Sequence, residues 1–112
     1  MSKYKNVSKN HTGIDLSANI GTNIVSSIEG EVVEVSSKGN YGKHLKIASK
    51  IDKNIIILYA HCSEILVKKG DKIKKNQVVA KVGNTGNTTG AHLHFEIRYK
   101  DEYINPEKIM EF

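Results

Sequence analysis

No stretch of this chain before residue 105 sustains the spacing of an amphipathic helix, and its apolar residues fall instead into short runs cut by Gly- and Asn-rich turns. That pattern constrains the fold to strands. Asn23 to Ile28 reads as one strand and Glu31 to Val35 as another, the second with Val33 and Val35 alternating with polar neighbours. Ser36 to Gly42 is a turn by composition. His44 to Ala48 alternates again, with Leu45 and Ile47 on one face and His44 and Lys46 on the other. Ile55 to His61 is apolar on both faces, as in a central strand covered on both sides, and its β-branched residues favour strand over helix. Gly70-Asp71 marks a turn between short strands, and Val78 to Val82 forms one more strand. The loop Gly83 to Gly90 leads into a last long strand from His92 to Tyr99. Asn105-Pro106 fits the cap and first position of a short helix running to Met110. Residues 1–10 are polar and read as irregular. The expected architecture is one mainly β, antiparallel sheet domain over residues 11–112, with a short C-terminal helix at most.

The length of 112 residues suits a single modest core. No run of eighteen apolar residues exists, which excludes a membrane-spanning helix from the sequence. The net charge of +5 could serve a polyanion, but the lysines are spread along the chain without interleaved aromatics. They read as a solvated face, and no nucleic-acid partner is expected. Cys62 stands alone, so an intramolecular disulfide and a multi-thiolate zinc ribbon are both excluded. The first residues, Met1 to Lys5, have no apolar signal core. The chain is expected either to be made without an export signal or to be a domain cut from a longer protein.

The chemistry concentrates in three segments. His92-Leu93-His94-Phe95-Glu96 puts two imidazoles two residues apart, hence on one face of a strand. His11-Thr12-Gly13-Ile14-Asp15 would put His11 and Asp15 on one face if extended, and His61 closes the central apolar strand. Two imidazoles and a carboxylate make an open zinc site with a fourth position for water. Five candidate ligands, His11, Asp15, His61, His92 and His94, exceed what one Zn²⁺ needs and leave imidazoles for acid–base work near neutral pH. The helical His-Glu-x-x-His motif is absent, so any such site must stand on strands and loops.

These three segments, in this order, resemble the LytM/lysostaphin-type zinc metallopeptidases of peptidase family M23. So do Gly21-Thr22, Gly30, Val67 to Ile73, Val82 to Gly86 and Asn105-Pro106, so the resemblance covers about residues 11 to 110. It implies the duplicated hybrid motif-like fold of LytM domains. It implies His11, Asp15 and His94 as ligands of one zinc ion, and His61 and His92 as catalytic histidines flanking the bound water. It also implies a substrate among the peptide stems or crossbridges of peptidoglycan, and work outside the cytoplasm. Three positions depart from the family pattern. Lys9 stands where an arginine is common, Ala91 where a proline often precedes His-x-His, and Cys62 where a leucine often follows the middle histidine. None removes one of the five groups. Some relatives have lost ligands and act as scaffolds or activators, which defines the alternative: a catalytically silent LytM-like domain in a cell-envelope or sporulation complex. A biotinyl, lipoyl or phosphocarrier domain is a further alternative. The first two lack a lysine on a recognisable hairpin tip here, and the third does not need His-x-His together with Asp15.

Other residues have plainer expectations. Glu96 shares parity with His94 and could orient it, but a strand-surface carboxylate is the default. His44 is expected in solvent beside Lys46. Cys62 is expected as a small core residue pointing away from the site. Tyr4, Tyr41 and Tyr59 could support an oxyanion, with packing or rim positions as the default for each. The loop Gly83 to Gly90 lacks the ending of a phosphate loop.

Overall fold

The computed structural model describes residues 6–10, 13–84, 92–100 and 102–104, with side chains described for residues 16–84 and 93–100. The expected terminal helix, Tyr4 and His11 therefore lie outside the described residues. Among the described residues there is no helix, and so none long and apolar enough to cross a membrane.

Ten strands follow in chain order: β1 (Asn6–Asn10), β2 (Gly13–Ser17), β3 (Asn23–Val25), β4 (Gly30–Ser36), β5 (Lys43–Ser49), β6 (Ile55–Ile65), β7 (Lys72–Ile73), β8 (Val78–Val82), β9 (His92–Tyr99) and β10 (Glu102–Ile104). Every pairing is antiparallel, and the main path through the sheet is β1-β2-β9-β6-β5-β4-β7. The strand β10 pairs with β9, and β3 pairs with β8, which joins the far end of β6. The apolar run that opens β6 is thus central, held between β5 and β9.

Alternation assigns the two faces. Leu93, Phe95 and Ile97 of β9, Ile57 and Tyr59 of β6, and Leu45 and Ile47 of β5 are all buried in one apolar cluster with Leu16, Ile24 and Val82. The other face of the same strands carries Glu96, His94 and Ala60, which are buried as well. The Tyr59 hydroxyl, inside the core, accepts from the Ser27 amide at 3.0 Å.

Three local outcomes differ from the sequence expectation. Residues Asn6–Asn10 form β1, paired with β2, where their polarity read as irregular; an edge strand needs only backbone partners, not an apolar face. The strand expected over Asn23 to Ile28 ends at Val25. There Ser26 turns the chain, its hydroxyl donating to the Ile28 carbonyl at 2.7 Å and competing with the ladder. In β4 a register shift between Val32 and Glu34 sends Val32 into the core and leaves Val33 exposed.

Candidate active site

The site is built where β2, β9 and β6 meet. In the β2–β9 ladder Asp15 stands directly opposite His94, and Ser17 opposite His92. Opposite positions of an antiparallel pair belong to one face of the sheet. Two elements far apart in sequence therefore bring a carboxylate position and an imidazole together. His11 lies between Asn10 and Gly13, whose backbones pair, and is itself outside the described residues, as are the side chains of Asp15 and His92.

On the other side of β9, Ala60 is opposite His94 and Leu58 opposite Glu96. A regular β6 would therefore place His61 with Tyr59, on the core face. It does not, because β6 is broken there. The pairing with β5 shifts register between Lys43 and Leu45, and the pairing with β8 shifts between Cys62 and Glu64. His61 itself has φ of 63°, the left-handed region that side chains disfavour. Its amide donates to the Tyr41 carbonyl at 2.8 Å, outside the regular ladder. This bulge re-aims the imidazole, whose ring centre lies 6.1 Å from that of His94, with the planes at 55°. His61 and His94 are both nearly closed to solvent. Cys62, the next residue, is fully buried in the apolar cluster, the core position expected for it, but by the bulge and not by parity, since a regular β6 would have turned it to the His94 face. Burial pushes its thiol up to about 12.

Glu96 contradicts its default reading. It is not on the strand surface: its side chain has 0% exposure. Its Oε2 faces His94 Nε2 at 2.7 Å and accepts from the Tyr41 hydroxyl at 2.6 Å. Its Oε1 accepts from Arg98 Nε at 3.1 Å and from Arg98 Nη2 at 2.9 Å. Burial alone would raise the pKa of Glu96; the hydrogen bonds from His94, Tyr41 and Arg98 and the guanidinium charge outweigh it and leave the pKa below the ordinary carboxylate value. The Tyr41 ring stacks on His94, centres 5.9 Å apart and planes at 20°.

His44 is also misplaced by its sequence context. It is buried, with Nδ1 at 2.9 Å from the Gly42 carbonyl and Nε2 at 3.1 Å from Glu34, and its ring lies 5.4 Å from that of Tyr41. Both of its nitrogens are engaged in holding the turn that presents Tyr41. Of the tyrosines weighed for the oxyanion, Tyr59 is core and Tyr41 serves Glu96.

Among the described residues no group of three metal-competent side chains converges. His94 nevertheless has the setting of a metal-ligating histidine, one ring nitrogen against a buried carboxylate, with a carboxylate position opposite it in the ladder. This donor chemistry fits zinc, which takes imidazole and carboxylate ligands. Sequence reasoning underrated Glu96, Tyr41 and Arg98. The available signal was the alternation that joins His92 to His94, which runs on through Glu96 to Arg98.

The chain resembles known proteins along most of its length. The family description "Peptidase family M23" matches residues 9–106. The chain is 36% identical over 98 residues to peptidoglycan DD-endopeptidase ShyA of Vibrio cholerae, covering 88% of this chain and 22% of that protein. The mutant catalytic domain of the prophage-encoded M23 protein EnpA from Enterococcus faecalis superposes with a TM-score of 0.80 at 38% identity, covering 89% of this chain and 78% of that one. The catalytic domain of lysostaphin from Staphylococcus simulans gives a TM-score of 0.83 at 26% identity, covering 95% and 86%. The chain spans about a quarter or less of the length of curated relatives such as ShyA. The match along nearly the whole chain, with the antiparallel fold of the LytM/lysostaphin catalytic domains, shows that the chain belongs to peptidase family M23.

Proposed function

We propose that this domain is a zinc-dependent endopeptidase that hydrolyses peptide bonds in peptidoglycan stems or crossbridges, outside the cytoplasm. The observation that carries the reading is the direct opposition of Asp15 and His94 in the β2–β9 ladder, with the His61 ring turned to 6.1 Å from His94. Relatives named as peptidoglycan DD-endopeptidases support the substrate class, and a solved neighbour described as a zinc-containing peptidase from Vibrio cholerae supports the metal.

In this reading His11, Asp15 and His94 hold one Zn²⁺, which when bound would polarise the scissile carbonyl and acidify water. His61 and His92 take and return protons. A neutral imidazole accepts the proton from the attacking water, and an imidazolium donates to the leaving amine. The left-handed bulge holds the His61 ring toward His94, and burial keeps bulk water from competing for its proton. Glu96 keeps the ring of His94 in place.

The test is a digest of purified peptidoglycan, with the released muropeptides read by mass spectrometry, using zinc-loaded protein, protein treated with a chelator, and His94→Ala and His92→Ala variants. Wild type should cut; chelation should stop it and added zinc restore it. His94→Ala should lose metal, while His92→Ala should keep metal and lose cleavage. Wild type that takes up no zinc, or cleavage that survives His92→Ala, overturns the reading. Zinc uptake without cleavage of any wall preparation favours a silent scaffold domain instead.

A further inference from the structure

We propose that Glu96 is the positioning residue of His94, fixing its tautomer so that Nδ1 is the nitrogen offered to the metal, and that Tyr41 and Arg98 fix Glu96 in turn. The inference rests on the reading of His94 as a metal ligand but is carried by geometry within the chain.

The two carboxylate oxygens have separate tasks. Oε1 takes both bonds from Arg98, which is enough to partner the buried carboxylate. Oε2 is turned to His94 and Tyr41. A third Arg98 bond, from Nη2 to the Tyr41 hydroxyl oxygen at 3.1 Å, settles the direction of that hydroxyl: it accepts from Arg98 and donates to Oε2. Arg98 and the Tyr41 hydroxyl thus both donate to Glu96, and a carboxylate that accepts these bonds as an anion has no proton to give. The contact at 2.7 Å between His94 Nε2 and Oε2 can be a hydrogen bond only if Nε2 bears the hydrogen. A neutral imidazole protonated at Nε2 has its lone pair on Nδ1. The Tyr41 ring lies nearly parallel beside the imidazole, centres 5.9 Å apart.

Tyr41 does more than close this cluster. Its carbonyl accepts the His61 amide, at the residue whose left-handed backbone turns that ring toward His94. One residue of the β4–β5 turn therefore registers both histidines, His94 through its hydroxyl and ring and His61 through its backbone. The buried His44, bonded to Gly42 and Glu34, anchors the turn from behind.

The experiment uses metal-free and zinc-titrated protein with no substrate. Long-range ¹H–¹⁵N correlation spectra at about pH 8, where an ordinary histidine is neutral, should show His94 of the wild type as the Nε2–H tautomer. In Glu96→Gln the amide can face the ring with either its oxygen or its nitrogen, so the spectra should show mixed tautomers. Zinc affinity, by competition with a chromophoric chelator, should fall by about 10- to 100-fold, the usual effect of losing such a partner. Tyr41→Phe keeps the ring and the carbonyl but not the hydroxyl, and should weaken zinc by a smaller factor with the fold intact. Should Glu96→Gln fail to fold, the wild-type tautomer and Tyr41→Phe decide the matter. An Nδ1–H tautomer in the wild type overturns the proposal, and so does a zinc affinity unchanged within twofold in the folded variants. A wild type that binds no zinc would refute the peptidase reading, while the tautomer spectra would still judge the role of Glu96.

Discussion

The backbone at His61 supports a stability experiment that separates ring from chain. His61 has φ of 63°, and its amide is held by the Tyr41 carbonyl at 2.8 Å. A residue with a Cβ pays about 1–2 kcal/mol to sit in the left-handed region. Glycine avoids that cost, but its freer unfolded chain returns about 0.5–1 kcal/mol of the difference. His61→Ala and His61→Gly remove the same imidazole, so the lost contacts with His94 nearly cancel in their comparison. The glycine variant should therefore be the more stable of the two, by about 0–1.5 kcal/mol, with about 0.75 kcal/mol at the middle of those ranges. For a domain of this size 1 kcal/mol corresponds to roughly 4–8 °C in Tm, which calorimetry or circular dichroism resolves. Both variants should lose hydrolysis alike, because neither has the ring. An alanine variant that melts higher than the glycine variant would refute the argument that a left-handed bulge turns His61 out of the parity of its strand.

Gly83 abuts the segment just past that bulge: a Cβ there would stand 2.2 Å from the Ser63 amide nitrogen. Gly83→Ala should cost about 1–3 kcal/mol by overpacking and weaken hydrolysis through His61. It should leave zinc affinity unchanged, because the ladder from β2 to β9 is untouched; a melt within 1 °C of wild type would show the contact to be soft. Burial pushes the Cys62 thiol up to about 12, so the reactive thiolate is nearly absent at pH 8. Iodoacetamide at that pH should label unfolded but not native protein, and rapid native labelling followed by mass spectrometry would contradict the burial.

The sequence was readable wherever a periodicity of two decided the outcome. Leu93, Phe95 and Ile97 fall on one face and His94 and Glu96 on the other, and the core follows from that. The same rule could not see register. That Asp15 lies opposite His94 depends on how β2 slides along β9, and nothing within either strand states it. Nor could the rule see the break at His61, where a regular strand would have turned a catalytic candidate into the core with Tyr59. The errors at Glu96 and His44 have another origin. Alternation puts both on the polar face, and a polar face by itself implies contact with water. Alternation tells which side of a sheet a residue occupies; whether water reaches that side depends on what the connections lay across it. Here the turn between β4 and β5 lays Tyr41 over the polar face, and Arg98 closes it from within β9. A face that is polar by pattern yet dry by structure must satisfy every donor and acceptor internally. Glu96 meets that demand with Tyr41 and Arg98 on its two oxygens, and so can hold His94 Nε2 in one orientation.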